Sequence, residues 1–337
     1  MKHETIKTNR VSRRQLLKTA AAVAAFQLFS TKSSFANGDL FDGPIRLIAP
    51  FPPGGPADSL ARVVADSLSQ ILNKQVYVEN KPGAGGMLGM DVVAKSIPNA
   101  RTIVLGPMGV MTVTPFIYAR LPYHPVDDFQ SVALLSHSSN MLIVPSHSPY
   151  GSLKDIVDEA KKNPGKLTMG SAGNATSTHL TGVLFNQEAG IDTLHVPYKG
   201  SAAALNDMVG GRIDYSFEVV STALPFIESG KVRPIATAGK TRNRVFPDVP
   251  TIAESGYPNF VVESWGGIYT RAGSPRDRVE ALNKAINVAL RTTNLKKFIE
   301  DSGASTMGGT VDDADELFKK EFDRWPAVLK MANIKPE

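Results

Sequence analysis

Ile45-Arg46-Leu47-Ile48-Ala49-Pro50 runs into Phe51-Pro52-Pro53-Gly54-Gly55-Pro56-Ala57-Asp58, and from Ser59 the chain carries Leu60, Val63, Val64, Leu68, Ile71 and Leu72 at helical spacing. The stretch reads as a buried strand, a Pro/Gly corner and an amphipathic helix, which is the opening unit of an α/β sheet. The same unit recurs downstream. Val76–Glu79 is a second strand, followed by the loop Lys81-Pro82-Gly83-Ala84-Gly85-Gly86 and a helix through Val92 and Val93. Thr102–Leu105 is a third strand, ending at Gly106-Pro107.

The middle of the chain repeats the pattern. Leu142–Pro145 reads as a strand, Ser152 with Asp155 as a capping box opening a helix, and Asn163-Pro164-Gly165 as its stop. Lys166–Met169, His195–Tyr198, Arg212–Glu218 and Val232–Ala238 read as further strands with helices between them. Strands alternating with helices predict parallel sheets covered on both faces. A last strand around Val261–Tyr269 precedes amphipathic helices near Arg276–Thr292, Leu295–Asp301 and Asp312–Met331, expected to pack back on the first half. The chain has 337 residues and, at roughly 100–200 residues per domain, fits two domains. The expected division is 37–138 plus 240–337 for domain 1 and 139–239 for domain 2, with crossings near Val132–Met141 and Arg233–Thr241.

Residues 1–36 read as an export signal of twin-arginine type. Arg13-Arg14 precedes a mild apolar run from Thr19 to Phe29, and Ser34-Phe35-Ala36 offers a small-x-small cleavage site. The run is well short of the ~20 apolar residues that a membrane span needs. The segment holds seven of the 37 basic residues and one of the 32 acidic residues. The mature chain therefore keeps 30 basic and 31 acidic residues, a net charge of −1, so the basic balance of the full sequence comes from the signal and argues for no nucleic-acid partner. There is no cysteine, so thiolate catalysis, Cys-ligated metal and disulfides are excluded.

Three corners share one physical property. Pro52–Asp58, Ser171-Ala172-Gly173-Asn174-Ala175-Thr176-Ser177 and Tyr198-Lys199-Gly200-Ser201-Ala202 each join a strand directly to a helix through Gly, Ser or Asn. The first turn of such a helix carries unpaired N–H groups and the positive end of the helix dipole, so it favours an anion. In open α/β sheets these corners lie at the carboxyl ends of strands, where ligands bind. Each corner also has a purely structural reading: Pro56 as a first helical residue with Gly55 as its cap, Asp58 as a complement to the dipole, and Ser171 or Ser177 as ordinary caps.

The run Ala49–Arg62 resembles the opening signature of the Bug/TctC family of tripartite tricarboxylate transporter receptors. So do Val78–Gly86, Leu121-Pro122-Tyr123 through Phe129, Asn163–Leu167, Gly170–Asn174 with Ser177–Leu180, Val196–Ser201 and Phe246–Thr251, in family order across nearly the whole mature chain. The resemblance implies an α/β periplasmic binding protein of the Venus-flytrap, type II-like kind: two α/β domains with a central ligand cleft and a hinge. It implies a periplasmic solute-binding receptor for a small carboxylate, be it a mono-, di- or tricarboxylate or an aromatic or amino acid. Its partner would be the membrane permease subunits of a tripartite transporter, and the receptor itself is expected to be a monomer without cofactor, metal or catalytic residues.

Carried over residue by residue, the ligand-binding candidates are Phe51, Gly54, Gly55, Ala57 and Asp58 on one side, and Ser171, Gly173, Asn174, Ser177, Gly200 and Ser201 on the other. Gly106, Met108 and Glu218 complete the set. Two positions depart from the pattern. Ala57 stands where relatives often have Ser or Thr, and Glu218-Val219 where they often read Asp-Asn, so the far end of the pocket is altered. A sensor feeding a signalling system shares all of this physics. An exported cofactor enzyme is the other alternative, and it lacks a visible ligand constellation. Gly83–Gly89 has the wrong spacing for a dinucleotide fingerprint. Ser177 and His179 stand too close along one helix to face each other as nucleophile and base. His124, His137, His147 and His195 show no metal spacing, and Trp265 joins Phe51 as a candidate apolar cleft wall.

Overall fold

In the computed structural model, residues 40–174, 176–331 and 334 are described, so the export signal read in residues 1–36 lies outside the described residues. Strand β1 (Ile45–Ala49) leads through the Pro/Gly corner into helix α1 (Pro56–Leu72). Then follow β2 (Val76–Asn80), α2 (Met87–Ala94), β3 (Thr102–Pro107) and a short α3 (Thr114–Ile117). β1 pairs in parallel with both β2 and β3, Leu47 lying opposite Val78 and Ile103. Ile45, Leu47, Ile48 and Ala49 are all buried, as a strand covered on both faces requires.

The continuation departs from the expected all-parallel sheets. β4 (Phe129–Pro145) is one 17-residue strand where sequence reading found only Leu142–Pro145. From Phe129 to Ser139 it pairs antiparallel with β9 (Glu263–Arg271). From Asn140 onward it pairs antiparallel with β7 (Tyr215–Val219) and β8 (Val232–Thr237). The sheets are therefore mixed, in the order β2-β1-β3-β9-β4-β7-β5-β6, where β5 is Thr168–Ser171 and β6 is Leu194–Pro197. Two irregularities of register in the first half of β4 add local twist. Its sequence records the crossing: apolar Val132–Leu135 belongs to one core, polar Ser136–Asn140 spans the gap, and apolar Met141–Val144 enters the other.

The second half supplies α4 (Leu153–Lys162), α5 (Ser177–Ala189), α6 (Ser201–Val209) and α7 (Val220–Glu228). The capping box at Ser152 and Asp155 forms both of its hydrogen bonds. β5, β6 and β7 run parallel, so the corners that follow them open along one edge of the sheet. Side chains alternate across it as strand geometry demands. Tyr215 and Phe217 face the core built with α4 and α5, while Met141 and Ile143 of β4 face the core under α6 and α7. Glu218 lies opposite Met141 in the β7–β4 register.

After β8 the chain makes a long excursion before β9. Within the stretch that sequence reading gave to domain 1 from residue 240, Ile252, Phe260 and Val262 pack into the second core. Three helices close the fold: α8 (Arg276–Ala289), α9 (Thr293–Asp301) and α10 (Val311–Met331). Between the last two, β10 (Ser305–Thr306) adds to β4. α10 contributes Phe318, Trp325, Val328 and Leu329 to the core around β1 and β3. Asn283 of α8 ties that helix to the sheet by donating to the Val132 and Gly309 carbonyls.

Candidate functional site

The corner after β1 is built by Asp58. Its Oδ2 accepts the Gly54 N–H at 2.9 Å and the Arg62 Nε–H at 3.0 Å, and its Oδ1 accepts Asn80 Nδ2–H at 2.8 Å. The same Asn80 amide donates to the Phe51 carbonyl. Arg62, then the Gly54 amide and then Asn80 hold the buried carboxyl at a pKa of about 2. Asp58 thus positions the corner, and its carboxylate is occupied from within the protein. Gly54 needs to be glycine, with φ of +84°. Gly55 is the N-cap of α1, and no side chain caps the first turn; Pro56 follows as the first helical residue. The donors that Gly55, Ala57 and Asp58 bring to this turn are backbone N–H groups. Phe51 is half-buried and packs against the core beside Val110, both lying close to Gly86.

Asp58→Ala leaves the Gly54 amide, the Asn80 amide and Arg62 without their acceptor. Denaturant unfolding near neutral pH is expected to show a loss of about 1–3 kcal/mol. The carboxyl titrates below its ordinary 3.8 in the folded state, so its contribution is present above that value and lost as pH falls through about 2. Wild type and variant should converge there. An equal gap at both pH values would contradict the assignment.

The other two corners are laced together. Tyr198 N–H donates to the Ser171 carbonyl, and Gly200 N–H to the Ala172 carbonyl. Thr178 Oγ1 accepts the Ala172 N–H at 2.9 Å, and Thr176 Oγ1 donates to the Gly173 carbonyl at 2.7 Å. Thr176, rather than Ser171 or Ser177, is the N-cap of α5. Ser171 is fully buried, and its hydroxyl meets His195 Nε2 at 2.7 Å and accepts the Gly173 N–H at 3.2 Å. Ser171 and Gly173 therefore shape the corner from inside. Asn174 is exposed and Ser177 half-buried. At the third corner Gly200, with φ of +115°, is the N-cap of α6, again without a side-chain cap, and Ser201 begins the helix.

His195 stacks on His179 with ring centroids 3.9 Å apart. Burial, and then the neighbouring ring, holds His179 down at about 4; burial also lowers His195. The serine that pairs with a histidine is thus Ser171 with His195, not Ser177 with His179. The serine is fully buried, and the imidazole that meets it lies face to face on a second imidazole.

Glu218 has no exposed surface. Its Oε1 accepts the Ser216 hydroxyl at 3.0 Å, and its Oε2 is buried with no hydrogen-bond partner. Burial lifts the carboxyl to about 7, against smaller downward pulls from the Ser201 and Ser216 hydroxyls. Gly106 and Met108 are placed in the core rather than on an open face. A Cβ on Gly106 would stand 2.5 Å from the Tyr269 ring, and Met108 is 1% exposed. Trp265 is likewise a core residue.

One apolar cluster joins the two sides. Leu180, in the first turns of α5, belongs to the same buried cluster as Met108, Val110 and Trp265, and Phe51 lies against that cluster. The start of α5 and the corner after β1 therefore border common ground. Among the described residues no group of three or more His, Asp or Glu side chains is placed to hold a metal ion, and no helix is long and apolar enough to cross a membrane.

Sequence reading did not single out Thr176, Thr178 or His195 as builders of the site. Thr176 had a local signal, a hydroxyl residue just ahead of a helix. The Ser171–His195 contact spans 24 positions and depends on β5 and β6 pairing, so nothing local announces it.

Comparison with known proteins gives a consistent picture. The model of the tripartite tricarboxylate transporter family receptor matches residues 60–334. A Pseudomonas sp. (strain P51) protein described as the UPF0065 protein in the tcbD-tcbE intergenic region is 37% identical over 287 residues, 85% of each chain. The solved structure of R. palustris Rpa4515 with adipate is 30% identical, with a TM-score of 0.80 over 88% of this chain and 99% of that one. MatC (Rpa3494) from Rhodopseudomonas palustris, with bound malate, is 29% identical, with a TM-score of 0.75 over 86% of this chain and all of the other.

Proposed function

The chain belongs to the receptor family of tripartite tricarboxylate transporters, and on that premise we propose that its mature form captures a small dicarboxylate in the periplasm and passes it to membrane permease subunits. Residues 1–36 serve as the export signal and are removed near Ala36. The body between Asn140 and Val262 closes on the remainder about the two places where the chain crosses, Ser139–Asn140 and Val262–Glu263. Closure of this kind buries a ligand between two lobes.

One observation carries this reading. α1 and α6 begin at glycines, Gly55 and Gly200, that leave their first turns without side-chain caps. Such ends are made for an anion, because the donors are oriented before the ligand arrives. Asp58 and Arg62 neutralise each other beside the first corner, so the acid group is gripped by backbone dipoles, with Asn174, Ser177 and Ser201 adding side-chain hydrogen bonds. The adipate and malate held by the two solved relatives favour a ligand with two carboxylates.

A thermal-shift screen of the purified mature protein against malate, adipate, citrate, benzoate and glutamate tests the proposal. At least one dicarboxylate is expected to raise the melting temperature with concentration, corresponding to about 2.7 kcal/mol at a hundredfold excess over Kd. A folded sample that responds to none of them contradicts the receptor reading.

A further inference from the structure

Glu218 is an unusual group to find under a carboxylate site. It lies on β7, opposite Met141 of β4, in the part of the sheet covered by α6 and α7, and it is fully enclosed. Oε1 is engaged by Ser216, while Oε2 has no partner. The Ser201 hydroxyl, in the first residue of α6, is close enough to draw the carboxyl's pKa down, yet it makes no hydrogen bond to Oε2 in this conformation. A helix N-terminus without a cap thus stands over a buried carboxyl oxygen that has hydrogen-bonding capacity to spare.

No cation accounts for it. Among the described residues, no ion pair involves Glu218. β4 presents Asn140 and Met141 in register with β7, and β5 presents Met169 and Gly170. On α6, Asp207 is engaged by Tyr198 and Arg212, and on α7 Glu228 stands at the far end of the helix. On α5, His179 is stacked on His195 and Glu188 lies in the last turn. Lys199, in the corner before α6, is exposed.

We propose, resting on the receptor reading above, that Glu218 sets the direction of the Ser201 hydroxyl, so that a carboxylate is captured at the start of α6 together with one proton. With Glu218 ionised, the Ser201 O–H turns inward to donate to Oε2. The ligand then meets the serine's lone pairs above a buried negative charge. With Glu218 protonated, the carboxyl O–H donates to Ser201 Oγ, and the Ser201 hydrogen is released to donate to the ligand's carboxylate. The proton comes from solvent and returns to it when the ligand leaves; no covalent bond forms or breaks apart from these O–H bonds. Glu218 acts through Ser201 and is a positioning residue. Its near-neutral pKa places the switch within the range where small dicarboxylates are already fully ionised.

Calorimetric titration of malate and adipate across roughly pH 6.5 to 8.5, where both carboxyls of each acid are almost wholly ionised, tests this. Parallel runs in two buffers of different ionisation heat count the protons. The expected result is uptake of about one proton per ligand in the alkaline half of the range, with Kd weakening about tenfold for each pH unit above the midpoint. Glu218→Gln, whose amide donates to Ser201 at every pH, is expected to flatten the profile. Ser201→Ala is expected to remove the proton uptake as well. His137, whose pKa the hydrogen bond to Glu263 raises above the ordinary 6.5, is retained in both variants, so a slope that persists in them comes from a group other than Glu218 and overturns the proposal. A flat profile in the wild type overturns the proposal while leaving the receptor reading intact. If neither acid binds at any pH, and the panel above also fails, both fall together.

Discussion

Gly173→Val is expected to abolish ligand-induced stabilisation and to lower the stability of the unliganded protein by several kcal/mol. A Cβ at this position would stand 2.9 Å from the Tyr198 carbonyl oxygen, closer than real Cβ contacts allow. The obstacle is backbone, so no side chain can swing aside. The φ of +129° adds strain of about 1–3 kcal/mol for any L side chain. The carbonyl cannot retreat freely either, because its residue's N–H donates to Ser171 and the Gly200 N–H donates to Ala172. Relief must therefore pull the second and third corners apart, displacing the starts of α5 and α6 together. Gly200→Ala is the informative control. Its φ is also positive, but nothing lies within 4 Å of the new methyl, so only the strain applies. Thermal melts with and without malate or adipate compare the two. A Gly173→Val protein with wild-type melting and a wild-type ligand shift would rule out the laced-corner account.

Glu218→Gln is expected to stabilise the unliganded protein at pH 8 by about 3 kcal/mol and to leave it nearly unchanged near pH 4.5. The folded pKa of about 7 lies above the ordinary 4.5 because burial disfavours the charge. Below 4.5 the carboxyl is protonated in both states and costs nothing. Between 4.5 and 7 the unfolded chain releases its proton while the folded one retains it, so stability falls as pH rises. Above 7 the loss is complete, and at about 1.4 kcal/mol per pKa unit it comes to roughly 3 kcal/mol. Glutamine keeps the shape and never ionises. Denaturant unfolding of both proteins at the two pH values measures the difference directly, and equal stabilities at pH 8 would contradict the burial of a titrating carboxyl.

The parts of the fold that were legible in the sequence are those with local signatures. The strand–corner–helix units at Ile45–Leu72 and Thr168–Ala189 repeat an apolar run, a glycine-bearing corner and helical spacing, and all three cues fall within about 25 residues. The Ser152 capping box is of the same kind. β4 was missed over most of its length because its middle, Ser136–Asn140, reads as a loop in isolation; only pairing with Trp265 and Ser264 on one side and Val219 on the other makes it a strand. The antiparallel direction of β9 was hidden for the same reason, since strand direction is a property of long-range pairing.

The candidate site divides along a similar line. The positions of its corners followed from glycines and helix starts. The division of labour within them did not: Asp58, Ser171 and Gly173 hold the corners from inside, and Gly106 and Met108 sit in the core. A polar residue at a helix start looks the same in sequence whether it faces a ligand or its own backbone. Glu218 stood out only as a departure from the family pattern, and its missing partner needed the third dimension.

The unbroken course of β4 carries a mechanical corollary. A loop between two lobes behaves as a slack tether, permitting many orientations. A ladder-bonded strand behaves as a torsion bar, because its deformation is shared along a row of hydrogen bonds and resisted by each of them. Any swing of one core against the other would twist β4 at Ser139 and Asn140 as well as bend the second crossing at Val262–Glu263, and the Ser139 hydroxyl is hydrogen-bonded to Thr237 at the first of these. If the two cores move as proposed, the strand that joins them is expected to confine that movement to a narrower range of angles than a loop would, because its residues are held by pairing on either side of Ser139 and Asn140.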